Sequence, residues 1–173
     1  MVKLAHFLEL IAVFFFISIF STPALALSQP VLFFSPDLVE SNTGDNVQVH
    51  LLMDGASRGL SGYGLIISLD TPDIVDIIGI DLPKWTGLQD IEKQSDSSYL
   101  IQGVDSNDNQ HPGAPKIDLA TVKVHAKAPG YATIRATPVM IDDDQKGRYE
   151  TSPVAMTIVI TGAGPVPLVP MST

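Results

Sequence analysis

The feature that most constrains this chain is a two-residue alternation of apolar and polar side chains, broken at short intervals by turn residues. Val47-Gln48-Val49-His50-Leu51 and Val122-Lys123-Val124-His125-Ala126 both alternate strictly. In Ala132-Thr133-Ile134-Arg135-Ala136-Thr137 the small and apolar residues share one phase, and Val154, Met156, Ile158 and Ile160 share a phase opposite Thr157 and Thr161. A period of two buries one face of a strand and wets the other, which marks antiparallel sheet. Leu65-Ile66-Ile67 and Ile77-Ile78 are denser and predict more central strands. Thr43-Gly44-Asp45, Asp54-Gly55, Thr71-Pro72-Asp73, Pro112-Gly113 and Pro129-Gly130 supply the reversals. No long stretch keeps a helical period; the nearest, Thr86 to Gln94, is short and polar and reads as one surface turn. The expected fold class is all-β, an antiparallel two-sheet sandwich of about eight or nine strands.

That domain does not begin at residue 1. Lys3 precedes the largely apolar run Leu4 to Phe20, and Ala24-Leu25-Ala26 follows Pro23. This order predicts a secretory signal peptide over 1–26, cleaved after Ala26. The rival reading, a retained anchor, needs about 20 consecutive apolar residues, and Glu9 interrupts the run. Cleavage leaves 147 of the 173 residues, one domain with a real core over 27–161. Residues 162–173 form a Pro/Gly-rich tail or truncated linker, since Pro165, Pro167 and Pro170 favour an extended chain. The expected location is therefore secreted or cell-surface. The absence of cysteine excludes thiol catalysis, a disulfide scaffold and cysteine-ligated zinc. A net charge of −9 argues against nucleic acid, whose phosphates require Lys and Arg.

The acidic loops carry the sharpest local chemistry. If successive strands alternate in direction, the loop of Asp105, Asn107 and Asp108 lies beside that of Asp142, Asp143 and Asp144. The same counting brings the Asp70–Asp73 turn to that pole. Crowded carboxylates repel unless neutralised, and a calcium ion takes six to eight oxygens from such groups. Asp105, Asn107, Asp108, Asp142, Asp143 and Asp144 are thus a candidate structural Ca2+ site. Solvated Asx turns are the alternative.

Trp85, the only tryptophan, has two readings. One is a ligand-binding aromatic and the other a corner residue closing the core; the adjacent Leu82 and Pro83 favour the second. Tyr63, Tyr99, Tyr131 and Tyr149 form no evident platform by spacing. His50 and His125 fall on the polar phase of their strands, and His111 sits in the acidic loop beside Pro112. No phosphate loop, nucleophile elbow or zinc-protease motif is present, and acidic turns without a large cleft are poor glycosidase candidates, so no enzymatic activity is expected.

Several segments, taken in order, resemble a cohesin domain of the kind found in archaeal surface proteins. They are Gly44-Asp45-Asn46-Val47-Gln48-Val49, Leu60 to Leu69 with its Gly62-Tyr63 pair, Ile74 to Ile80 and the corner Leu82-Pro83-Lys84-Trp85. Val104 to Gln110, leading into Pro112-Gly113-Ala114, Leu119 to Val122, and Ile141 to Asp144 complete the series. The likeness covers about residues 31 to 161. It implies a jelly-roll sandwich related in fold to carbohydrate-binding modules. It also implies a protein partner, a dockerin (a small calcium-loaded helical module), recognised through a sheet face. A polysaccharide-binding module and a structural unit of a cell-surface layer are the alternatives.

Overall fold

The computed structural model describes residues 29–162. The expected signal peptide over 1–26 and all but the first residue of the tail lie outside the described residues. These contain ten strands and no helix. A four-stranded sheet has the order β1-β3-β8-β5, from β1 (Leu32–Ser35), β3 (Asn46–Ala56), β8 (Ala114–Ala126) and β5 (Val75–Asp81). A six-stranded sheet has the order β2-β10-β9-β4-β7-β6. Its strands are β2 (Leu38–Asn42), β10 (Val154–Thr161), β9 (Gly130–Asp142), β4 (Gly62–Leu69), β7 (Ser98–Val104) and β6 (Leu88–Ser95). The two-sheet sandwich is as expected, with ten strands in place of about eight or nine, and every ladder is antiparallel except β2 on β10, which is parallel.

Two features of the ten strands escape a simple reading of alternation. β1 and β2 are separated by only Pro36 and Asp37, yet they pair in different sheets. Pro36 has no N–H to give to a ladder, so the chain changes sheets there. β6 occupies the segment expected as a turn from Thr86 to Gln94. All eight of its residues are exposed, because it is an edge strand with no strand packed over it. With neither face buried, neither phase needs to be apolar, and the period-two signal vanishes.

Between the sheets lies one core, drawn from the buried phase of each strand: Val49 and Leu51 on β3, Leu65 and Ile67 on β4, Val122 and Val124 on β8, Ile134 on β9, and Ile158 on β10. Tyr63 is its largest fully buried side chain. Register explains how a phenol is accommodated there. On β3 and β8 the partners run Leu51↔Ala120 and then Leu52↔Asp118, so Leu119 is an extra bulge residue. Its carbonyl accepts a hydrogen bond from the Tyr63 hydroxyl at 2.6 Å, across the sandwich. The neighbouring Asp118 carbonyl accepts one from Trp85 Nε1 at 2.8 Å. The two rings are 5.9 Å apart and tilted by 53°. Burial raises the Tyr63 pKa well above its ordinary value, so the phenol remains a donor.

The Tyr63 ring also needs space from its cross-strand partner, Gly103. A Cβ there would stand 2.6 Å from the Tyr63 ring and 2.7 Å from the Thr86 methyl. Gly103→Ala is expected to destabilise the domain by about 1–3 kcal/mol through overpacking. Gly162→Ala, whose Cβ meets nothing within 4 Å, is expected to change stability by less than about 0.5 kcal/mol. Urea unfolding of the two variants against the wild type checks both, and equal midpoints would exclude the tight contact.

Candidate functional site: a sheet face and an acidic pole

The start of β4 organises one end of the sandwich. Gly62 pairs with Val104, the last residue of β7, and with Asp142, the last of β9. The loops after β7 and β9 therefore lie side by side, as the strand counting predicted. They border a cleft of about 900 Å³ lined by Asp105, Ser106 and Asp108 on one side and Asp142, Asp143, Asp144, Lys146 and Arg148 on the other. The Asp70–Asp73 turn is not there. β4 carries the chain from Gly62 to Leu69, opposite Ile134, and leaves Asp70 at the far pole. There Asp70 accepts from the Thr133 amide at 2.7 Å and the Thr71 hydroxyl at 2.9 Å. The expectation failed because one eight-residue strand reverses ends, and the turn follows β4 whereas the acidic loops flank its start.

Most carboxylates at the acidic pole are engaged by the protein itself. Asp105 accepts from the Gln110 amide at 2.6 Å, the Asn109 side chain at 3.0 Å and the Asn107 amide at 3.3 Å. Burial opposes its ionisation, but these donors outweigh it and hold the carboxyl below the usual range. Asn109 also donates to the Trp85 carbonyl at 3.1 Å, tying the loop to the tryptophan corner. Asn107 contributes its backbone to this turn and does not line the cleft. Asp142 pairs with Arg148 at 2.8 Å.

Asp143 is the buried charge of the set, 3% exposed. It pairs with Arg58 and accepts from the Gly147 and Gln145 amides at 2.7 and 2.9 Å. Burial raises its pKa, yet the amides and the guanidinium together hold it low. Arg58 also lies 4.6 Å over the Tyr149 ring. The Tyr149 hydroxyl accepts from the Arg58 amide at 2.7 Å and donates to the Gly59 carbonyl at 3.0 Å. Sequence reasoning missed Arg58 and Tyr149, since nothing in their spacing joins residues some 90 positions apart.

Asp144 differs from its neighbours. Burial first, and then the negative charges of Asp108, Asp105 and Asp143, push its pKa up. Among the described residues no three His, Asp or Glu side chains converge in a metal-binding group. Of the candidate calcium ligands, Asp105, Asp142 and Asp143 thus already have protein partners. His111 Nδ1 lies 3.2 Å from the Asp108 carbonyl. His50 and His125 sit on the outer face of the four-stranded sheet, near Thr121 at 3.1 Å and Asn46 at 2.8 Å. Trp85 packs against the core as a corner residue.

The second feature is the outer face of β6, β7, β4 and β9. Register sets its rows: Leu88, Val104, Gly62 and Asp142; then Asp90, Gln102, Gly64 and Met140; then Glu92, Leu100, Ile66 and Thr137. Leu88 is 67% exposed and Val104 42%. The outer rows of the other sheet, by contrast, are polar: Gln48 beside Lys123, His50 beside Thr121, and Asn46 beside His125 and Asp76. Ile78 on the edge strand β5 is exposed, but most of the exposed large apolar side chains, Leu38, Leu88, Ile91, Val104, Tyr131 and Val139, belong to the six-stranded sheet. A Gly62-x-Gly64 pair inside a strand was the sequence signal for this surface, because two glycines on one phase leave that face without side chains.

No protein-family model and no curated protein matches the sequence. Solved structures do. A non-cellulosomal cohesin from the hyperthermophilic archaeon Archaeoglobus fulgidus superposes with a TM-score of 0.63 at 15% identity, covering 78% of this chain and 92% of that one. A cohesin in a type I cohesin–dockerin complex from Clostridium thermocellum gives 0.64 at 11% identity, covering 78% and 100%. The cohesin module of a family 33 glycoside hydrolase from Clostridium perfringens gives 0.65 at 9% identity, covering 79% and 100%.

Opposite pH signatures follow for the two adjacent aspartates. Asp143, held low, contributes stability above its ordinary value of 3.8 that is lost as pH falls through its folded value. Asp144, pushed up, contributes below 3.8 and loses that contribution as pH rises through its folded value. Asp143→Asn is expected to lower the thermal midpoint at pH 7 and flatten its fall in acid, whereas Asp144→Asn is expected to raise the pH 7 midpoint in chelator. A calcium ion at this pole would raise the wild-type midpoint at millimolar calcium and leave that of Asp144→Asn unmoved. Equal wild-type midpoints with calcium and with chelator would exclude a stabilising site.

Over nearly the full length of the solved modules it matches, the chain has the cohesin fold.

Proposed function

We propose that this chain is a non-catalytic, cohesin-like module that works outside the cell or at its surface and binds a dockerin-type protein on the outer face of β6-β7-β4-β9. The observation that carries this reading is the asymmetry of the sandwich. One sheet presents Leu88, Val104, Ile66, Leu100 and Met140 in register, while the other presents mainly histidine, lysine, glutamine and aspartate, with Ile78 as an exposed apolar residue on its edge strand. An apolar cluster on rigid strands is already ordered before a partner arrives, which lowers the entropic cost of association. Solved chains of the same fold come from cohesin–dockerin complexes. Export rests on Lys3, the run Leu4 to Phe20 and Ala24-Leu25-Ala26. The non-catalytic reading is supported at the acidic pole, where Asp105, Asp142 and Asp143 are held by amides and guanidinium groups rather than left as a free acid and base.

Calorimetric titration of the mature chain with dockerin modules from the same organism, in calcium and in chelator, tests the reading. Saturable binding that is lost on Leu100→Asp, with the fold intact by melting, is the expected result. Binding to soluble or insoluble polysaccharide alone would replace it with a carbohydrate-binding role, for which Tyr131, 71% exposed on the same sheet, is the nearest aromatic. Concentration-dependent self-assembly without either ligand would indicate a surface-layer unit.

A further inference from the structure

The outer face of the six-stranded sheet is not uniformly apolar; it holds a notch. Gly62 and Gly64 are both on its outward phase, so the central strand β4 offers bare backbone there. Leu88 and Val104 wall the notch on one side and Met140 on the other, with Gln102 and Asp90 at its margin, around a volume of about 220 Å³. The glycines are not required by backbone conformation, since neither has a positive φ. At Gly64 a Cβ would meet only the Met140 and Gln102 side chains, at 3.3 and 3.8 Å. At Gly62 a Cβ would stand 3.1 Å from the Gly103 carbonyl, so that position is held by close packing of the backbone, whereas the bare surface at Gly64 is bounded only by side chains.

The rim has a sign. Asp90 and Glu92 project on the same phase as Leu88, and among the described residues neither is in an ion pair. The one lysine of β6, Lys93, lies on the other phase and is bound to Asp96 at 2.8 Å. A second copy of this chain is a poor occupant. Antiparallel pairing of β6 with itself about Ile91 would set Asp90 against Glu92, and like charges directly opposite destabilise a ladder.

We propose that the notch is the specificity pocket of this face. It takes one aliphatic side chain (Leu, Ile, Val or Met) projecting from a basic protein surface, with a Lys or Arg beside it meeting Asp90 and Glu92. This rests on the protein-binding reading above and names the partner's chemistry. An aliphatic anchor in a desolvated pocket, ringed by polar contacts, is the arrangement in which a single side chain dominates affinity. The acidic rim adds steering and selects against acidic partners.

The test is a selection with the full chain against a displayed library of dockerin-type helical modules whose contact faces are randomised. Recovered modules are expected to carry an aliphatic residue with Lys or Arg three or four positions away, on the same helix face. Gly64→Leu fills the notch, and Leu88→Asp alters its wall from an edge position that is 67% exposed; each is expected to weaken binding at least about tenfold. Asp90→Lys is expected to abolish the loss of affinity with added salt. Ile66→Lys, on the same face one row away, serves as the control. Modules that lose binding on Ile66→Lys but not on the three notch variants would overturn the pocket and leave the face reading standing. Modules insensitive to all four, or no recovered module, would overturn both.

Discussion

The hydrogen bond from Tyr63 to the Leu119 carbonyl is the contact on which the rest of the sandwich turns. A bulge in β8 leaves an extra residue inside the core, and leaving a buried carbonyl there without a donor costs about 1–3 kcal/mol. Tyr63 bonds it from the opposite sheet, and Trp85 donates to the carbonyl of the exposed Asp118 one residue earlier. The two sheets are thereby located against each other by direction as well as by apolar contact. Apolar burial alone allows sheets to slide; a donor and an acceptor 2.6 Å apart do not. Gly103 completes the arrangement by leaving room for the ring.

How much of this was legible in the chain depends on what each element had to bury. Strands with one wet face, such as β3, β8, β9 and β10, announced themselves through alternation, and the sandwich followed. β6 did not, since a strand exposed on both sides has no reason to alternate. Trp85 was readable as a corner residue from Leu82 and Pro83, but its acceptor was not, because a bulge cannot be seen in a strand's own sequence. The union of the 105–108 and 142–144 loops followed from counting strands, whereas the same counting misplaced Asp70, one strand length away. Arg58 and Tyr149 were invisible for a simpler reason: their importance lies in meeting Asp143 and Gly59 across the pole, and no local pattern encodes that.

The acidic pole illustrates how a chain of net charge −9 can gather aspartates at one end and still fold. Asp143 is buried, and an unpaired carboxylate there would cost several kcal/mol. Two loop amides and Arg58 make it a structural anion instead, and Arg58 is itself held by the Tyr149 ring. Asp105 organises its own loop by accepting backbone amides and the Asn109 side chain. Asp108 and Asp144 remain in the cleft, and burial together with the anions around it pushes the Asp144 pKa up.

The two halves of the molecule meet in β4. Its inward phase carries Tyr63, Leu65 and Ile67, all fully buried, and its outward phase carries Gly62, Gly64 and Ile66. The strand that fixes the sheets therefore also forms the floor of the exposed face. Because Tyr63 is flanked by Gly62 and Gly64, the bond that anchors the core also fixes the backbone beneath the notch. A surface so supported cannot deform without disturbing the core. On the proposed reading of the notch, selectivity for the size of the entering side chain follows from how the fold is held together, and the charge of the rim selects the surfaces that bring it close.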